Sequence, residues 1–110
     1  MDREELLDYL RGFLARVGAE EGYLFGSRAR GEELLNSDVD LVIVSDTFEG
    51  VQFPRRLVML QEHWQLPYFL EALPYTREEL ARLSRSRGVV AEAIQHGVRL
   101  SPALKGGDRG

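Results

Sequence analysis

Tyr23-Leu24-Phe25-Gly26-Ser27 and, after ten intervening residues, Asp38-Val39-Asp40-Leu41-Val42-Ile43-Val44 are the stretches that decide how this chain folds. The first is a short apolar run closed by a small-residue turn. The second opens on two carboxylates one residue apart. Within it Val39, Leu41 and Ile43 fall on one side and Val42 and Val44 on the other. Apolar residues on both sides of a strand predict a sheet covered by helices on both faces. A strand alternates its side chains, so Asp38 and Asp40 project from one face, roughly 6–7 Å apart. Two like charges at that distance repel by ~2–3 kcal/mol at an effective dielectric near 20. A divalent cation between them reverses the sign, and backbone N–H groups at a Gly-Ser turn can hold phosphate. The short connector brings turn and carboxylates to the same end of the sheet if the two strands run antiparallel. These observations together point to metal-dependent chemistry on a nucleotide.

Working outward, residues 3–17 predict an amphipathic helix with Leu6, Leu10, Phe13, Leu14 and Val17 on one stripe and Gly18 as its stop. Residues 27–33 predict a short helix that Ser27 can cap. Residues 45–52 form a loop around Gly50, and Pro54 starts a helix that turns Leu57, Leu60 and Trp64 inward and ends at Pro67. Tyr68 to Leu73 predicts a third strand, stopped by Pro74. Thr76 with Glu79 forms a capping box for a helix over 77–86, residues 89–96 form a last helix closed by Gly97, and Val98-Arg99-Leu100 makes a brief terminal strand. The expected fold class is α/β (α+β): a small mixed sheet of three to four strands covered by helices. One domain over 1–100 and a disordered Gly-rich tail over 101–110 complete the expectation.

Bulk composition narrows the function classes. A chain of 110 residues builds one core, and 44% apolar with 29% charged residues is ordinary for a globular protein. The net charge of −4 and the lack of a basic stripe argue against nucleic acid as partner. The absence of Cys excludes disulfides, thiolate catalysis and Cys-ligated zinc. An acidic N-terminus and the lack of any run of membrane-span length favour a cytoplasmic protein without membrane contact. His63 and His96 have no metal-ligand spacing, and Trp64 and Phe53 read as core residues. Arg55 and Arg56 open a helix against its dipole, a mild misfit that hints at an anionic contact.

The segments Gly26-Ser27-Arg28-Ala29-Arg30-Gly31 and Ser37-Asp38-Val39-Asp40-Leu41 resemble the signature of the minimal nucleotidyltransferases, small members of the DNA polymerase beta-like nucleotidyltransferase superfamily. Phe69-Leu70-Glu71-Ala72-Leu73-Pro74-Tyr75-Thr76 resembles the segment that carries the family's third carboxylate, with Glu71 where Asp is commoner. The resemblance covers about residues 20–80. It implies two-metal nucleotidyl transfer, with Asp38, Asp40 and Glu71 as catalytic residues and ligands of Mg²⁺ or Mn²⁺. It further implies that Gly26 lets backbone approach phosphate, that Ser27 donates to a β or γ phosphate, and that Arg28 and Arg30 neutralise phosphate charge. ATP is the nucleotide it implies, giving AMP to a hydroxyl. The partner it implies is a helical HEPN-type protein of a toxin–antitoxin pair, and a homo-oligomer is compatible with the sequence.

The residues leave other readings open. Glu71, between Leu70 and Ala72, also fits a solvent-facing position at a sheet edge, and Ser27 fits a simple helix cap. A binding module that neutralises a partner without catalysis is the alternative function. Transfer to an RNA end or to a small molecule is a third reading, for which the chain offers neither a basic stripe nor a second domain.

Overall fold

The two apolar faces of the central strand determine the layering. In the computed structural model, which describes residues 1–26, 28–29 and 38–103, α1 (Arg3–Arg16), β1 (Glu21–Phe25), β2 (Val39–Val44), α2 (Phe53–Gln61), β3 (Leu70–Tyr75), α3 (Arg77–Ser84), α4 (Val89–His96) and β4 (Val98–Leu100) follow in order. Among the described residues the sheet has the order β3-β2-β1-β4, with β2 and β3 parallel and the other pairs antiparallel. This is the mixed, helix-covered sheet expected, including the brief terminal strand.

Val39, Leu41 and Ile43 lie fully buried beneath α1 and α2, in a core with Leu6, Leu10, Phe13, Leu14 and Leu60. Val42 and Val44 face the other way, into a smaller core with Tyr23 from β1, Leu80 from α3 and Val90 and Ala93 from α4. Asp2 caps α1 through a reciprocal box with Glu5, and Thr76 does the same for α3 with Glu79. Glu21, only 4% exposed, is held at the start of β1 by Arg99 (Nη2 at 2.7 Å), Arg77 (Nη1 at 3.4 Å) and the Tyr23 hydroxyl. A buried carboxylate needs such partners, and these tie β1 to β4 and α3.

Several boundaries differ from the sequence expectation. β1 begins at Glu21, two residues early, because its ladder with β2 extends to the Glu21–Val44 pair. α2 ends at Gln61, not at Pro67. Beyond it Trp64 packs edge-on against Phe13 and Tyr9, with ring centroids 5.1 and 5.4 Å away, and its Nε1–H donates to Tyr68 O at 2.8 Å. This anchoring turns the chain out of helical register.

β3 runs through Pro74 instead of stopping before it. In a parallel ladder the odd residues of β3 point their backbone groups toward β2, as the Val39 N–H to Phe69 O and Ser45 N–H to Tyr75 O bonds show. Pro74 is therefore an outward position on an edge strand, where a missing N–H costs no ladder bond. Its carbonyl accepts from Arg56 Nη1 at 3.1 Å, and the outward Leu70 carbonyl accepts from Gln61 at 3.4 Å.

Arg56 resolves the misfit at the start of α2. It is buried, donates to Val51 O, and forms a two-pronged pair with Glu79 at 2.7 and 3.1 Å. The short helix expected over 27–33 falls largely outside the described residues. The expected tail begins attached, since Ala103 N–H donates to Arg11 O at 2.9 Å, and residues 104–110 lie outside the described residues.

Candidate active site

The ladder registers assemble the site. Phe25, the last residue of β1, pairs with Asp40, and Asp40 pairs across the parallel ladder with Glu71. Paired residues point to the same face, so Asp40 and Glu71 share the α3–α4 face with Val42, Val44, Leu73 and Tyr75. The two helices cover the inner part of that face and leave the end bearing the carboxylates open. Between sheet and helices lies a cavity of about 450 Å³ that Asp40, Glu71, Phe25 and Leu73 line from the sheet side. Two carboxylates on neighbouring strands in register, one of them exposed, make an all-oxygen pair that a divalent cation can bridge.

Gly26 completes this corner. Its φ of +76° is a left-handed conformation that side chains disfavour, and a Cβ added there would overlap Asp40 Oδ2. The backbone of the turn is thus pressed directly against the Asp40 carboxylate. The sequence reading assigned Gly26 to an approach of backbone to phosphate; the neighbour that the fold places against it is Asp40.

The remaining site residues are placed differently. Asp38 is exposed, one residue ahead of β2, and is not part of the cavity lining among the described residues. Glu71 is also exposed, at the cavity's open end. No group of three acidic, imidazole or thiol side chains among the described residues converges as a ready metal cage. Arg28 is buried, with its guanidinium 4.5 Å over the Tyr68 ring, and stands apart from the cavity. Its carbonyl accepts from Arg3 at 3.2 Å, so the turn after β1 is tied to α1. Ser27 and Arg30 lie outside the described residues.

The sequence reading missed the opposite wall. Ser86, Arg87, Gly88 and Val89, at the corner between α3 and α4, face Asp40 and Glu71 across the cavity. Arg87 brings a cation to the otherwise acidic lining. The signal was the polar Ser84-Arg85-Ser86-Arg87-Gly88 break between two helical stretches, a place where loops carry functional groups. At the inner end Tyr75 also lines the cavity. Burial, and then the charge of Glu79, push its hydroxyl up, so it keeps its proton.

The sequence pattern of the nucleotidyltransferase domain matches residues 6–96 of this chain. The chain belongs to that family. The matched span runs from α1 to the end of α4 and includes each carboxylate of the site. No curated protein sequence matches the chain. Among solved structures, a crystal structure of a candidate nucleotidyltransferase from Sulfolobus solfataricus is similar, with 25% identity and a TM-score of 0.57 over 73% of this chain and 75% of that one. Family and fold thus agree on nucleotidyl transfer as the general activity. No helix among the described residues is long and apolar enough to cross a membrane.

Proposed function

We propose that this protein transfers a nucleoside monophosphate, AMP from ATP, onto a hydroxyl of a helical HEPN-type partner. The observation that carries the reading is the Phe25–Asp40–Glu71 register, which sets two carboxylates side by side at the Gly26 corner of a nucleotidyltransferase fold. The donor set is made of oxygen alone and suits Mg²⁺ or Mn²⁺. Asp40 and Glu71 would hold the ion, with the exposed Asp38, two residues before Asp40, as a further oxygen donor. When bound, such ions neutralise triphosphate charge and favour the ionised form of the attacking hydroxyl.

The chain's own groups account for the rest. The Gly26 backbone, with Ser27, receives the terminal phosphates at the end of β1. Glu71, on the far side of Asp40 from that turn, accepts the proton of the attacking hydroxyl. The hydroxyl oxygen forms a bond to the α-phosphorus, the bond to the bridging oxygen breaks, and pyrophosphate leaves toward the Gly26 turn. This order follows the strand order, with β3 on the acceptor side, β2 beneath the reacting phosphorus and β1 on the leaving-group side. Arg87, on the facing wall, offsets charge that builds on the transferred phosphoryl group.

The test is incubation of the purified protein with α-labelled ATP, Mg²⁺ and each of a set of purified candidate HEPN-type proteins. Label on one of them, lost in Asp40→Asn and Glu71→Gln, is the expected result. A tight complex that never acquires label overturns the enzymatic reading in favour of a neutralising binding module.

A further inference from the structure

The site cavity is not isolated. Phe25, Gly88 and Val89 also line a second, larger cavity of about 750 Å³, set between the end of β1 with its Gly26 turn and the length of α4. Its lining has a different chemistry. Gly26, Ala29, Ala93 and Gly97 supply walls with little or no side chain, and Phe25 supplies an aromatic face. The polar side chains among the described lining are Glu92 and His96, one turn apart on α4 and so on the same stripe of that helix.

The volume is within the range of small-molecule sites, the space is a groove open to solvent with Glu92 and His96 exposed along its rim, and it meets the carboxylate corner at Gly26. What it encloses is decided by charge. A triphosphate would meet the Glu92 carboxylate with no Lys or Arg in the described lining to offset it. A flat, uncharged ring system suits small-residue walls and an aromatic face, provided its edge carries N–H groups for Glu92.

We infer that this second cavity seats the nucleobase of the nucleotide, with Glu92 accepting from the exocyclic amino edge and His96 completing the polar end. The inference rests on the nucleotidyl-transfer reading and adds to it a base preference. An exocyclic amino group, present on adenine and cytosine and on guanine at its 2-position, is selected over uracil, which has none and offers a single N3–H flanked by two carbonyl oxygens. Phosphates then lie at the Gly26 corner and the base under α4, so one nucleotide spans both cavities.

The test compares Mg²⁺-dependent binding of ATP, GTP, CTP and UTP by calorimetry, in the wild type and in Glu92→Gln. The wild type binds the amino-bearing nucleotides about tenfold more tightly than UTP, the scale of one charge-assisted hydrogen bond at a carboxylate open to water. Glu92→Gln, whose amide can donate to a carbonyl, brings UTP to within about threefold of ATP. Equal binding of all four by the wild type, or unchanged ratios in the variant, overturns the inference. A second measurement does not depend on any variant: adenosine, which has no phosphate, shifts the NMR signals of the Ala93 methyl and the His96 ring. Label transfer that requires Asp40 while those signals stay still refutes the base site and leaves the function standing. Absence of any nucleotide binding refutes the function and the base site with it.

Discussion

Replacing Glu79 by Gln removes one negative charge and little else. The amide oxygen still accepts from the Thr76 N–H, now held at 2.9 Å by Glu79 Oε1, so the capping box survives. The Arg56 Nη1 bond to the same oxygen persists with a neutral acceptor; what is lost is the charge of the pair and the Nη2 bond to Oε2, where the amide now presents a donor. The Arg56 guanidinium, aided by the Thr76 backbone N–H and opposed by burial, lowers the Glu79 carboxyl from 4.5 to about 2. A depressed folded-state value means that the ionised form stabilises the fold. The contribution is fully present above about pH 4.5 and fades as pH falls through about 2. The difference of about 2.5 units corresponds to ~3 kcal/mol, which residual exposure of the Glu79 side chain (29%) trims to about 2 kcal/mol. For a domain of this size that is roughly 10 °C in melting temperature. The assay is a pair of thermal melts, wild type against Glu79→Gln, at pH 7 and pH 3. The gap at pH 7 should shrink by more than half at pH 3, where roughly 40% of the contribution remains. A gap below 2 °C at pH 7, or one that does not change with pH, refutes the reasoning.

Three further outcomes are expected. Gly26→Ala imposes a side chain at φ +76° and displaces the Asp40 carboxylate; it should cost about 1–2 kcal/mol in a denaturant titration and reduce label transfer more than its stability loss explains. Asp40→Asn and Glu71→Gln should each lower transfer by at least about 100-fold in a timed labelling assay, with the far-UV circular dichroism of the fold retained. Phe13→Ala, at a fully buried position against Trp64, should destabilise by about 3–5 kcal/mol and red-shift the emission of the single tryptophan.

What could be read in the sequence follows from how local each signal is. The period of two in Val39–Val44 gave the face assignment of every residue of β2, and both cores obey it. Capping chemistry placed α3, and Gly26 with Asp40 marked the corner where the cavity lies, whereas Asp38 does not line it. Glu71 could be assigned to a strand but not to a face, since that depends on the register with β2, a non-local property. Pro74 misled because local rules end a strand there, whereas its position at the sheet edge removes the penalty. Arg56 was noticed as a misfit, but its partner stands 23 residues away on a different helix. The base-cavity walls escaped notice for a related reason. Gly, Ala and Val mark no chemistry until tertiary structure stacks α4 over the end of β1.

The bonds that α2 makes to the outer rim of β3 limit how this protein can meet a macromolecule. Gln61 and Arg56 occupy two carbonyls that an incoming extended peptide would need, and Pro74 withholds an N–H between them. The opposite rim, β4, is three residues long. Growth of the sheet by an added strand is thereby discouraged on either flank. On the proposed reading, a protein acceptor comes end-on past Glu71 and Arg87 and carries its modified residue on a convex, solvent-accessible segment.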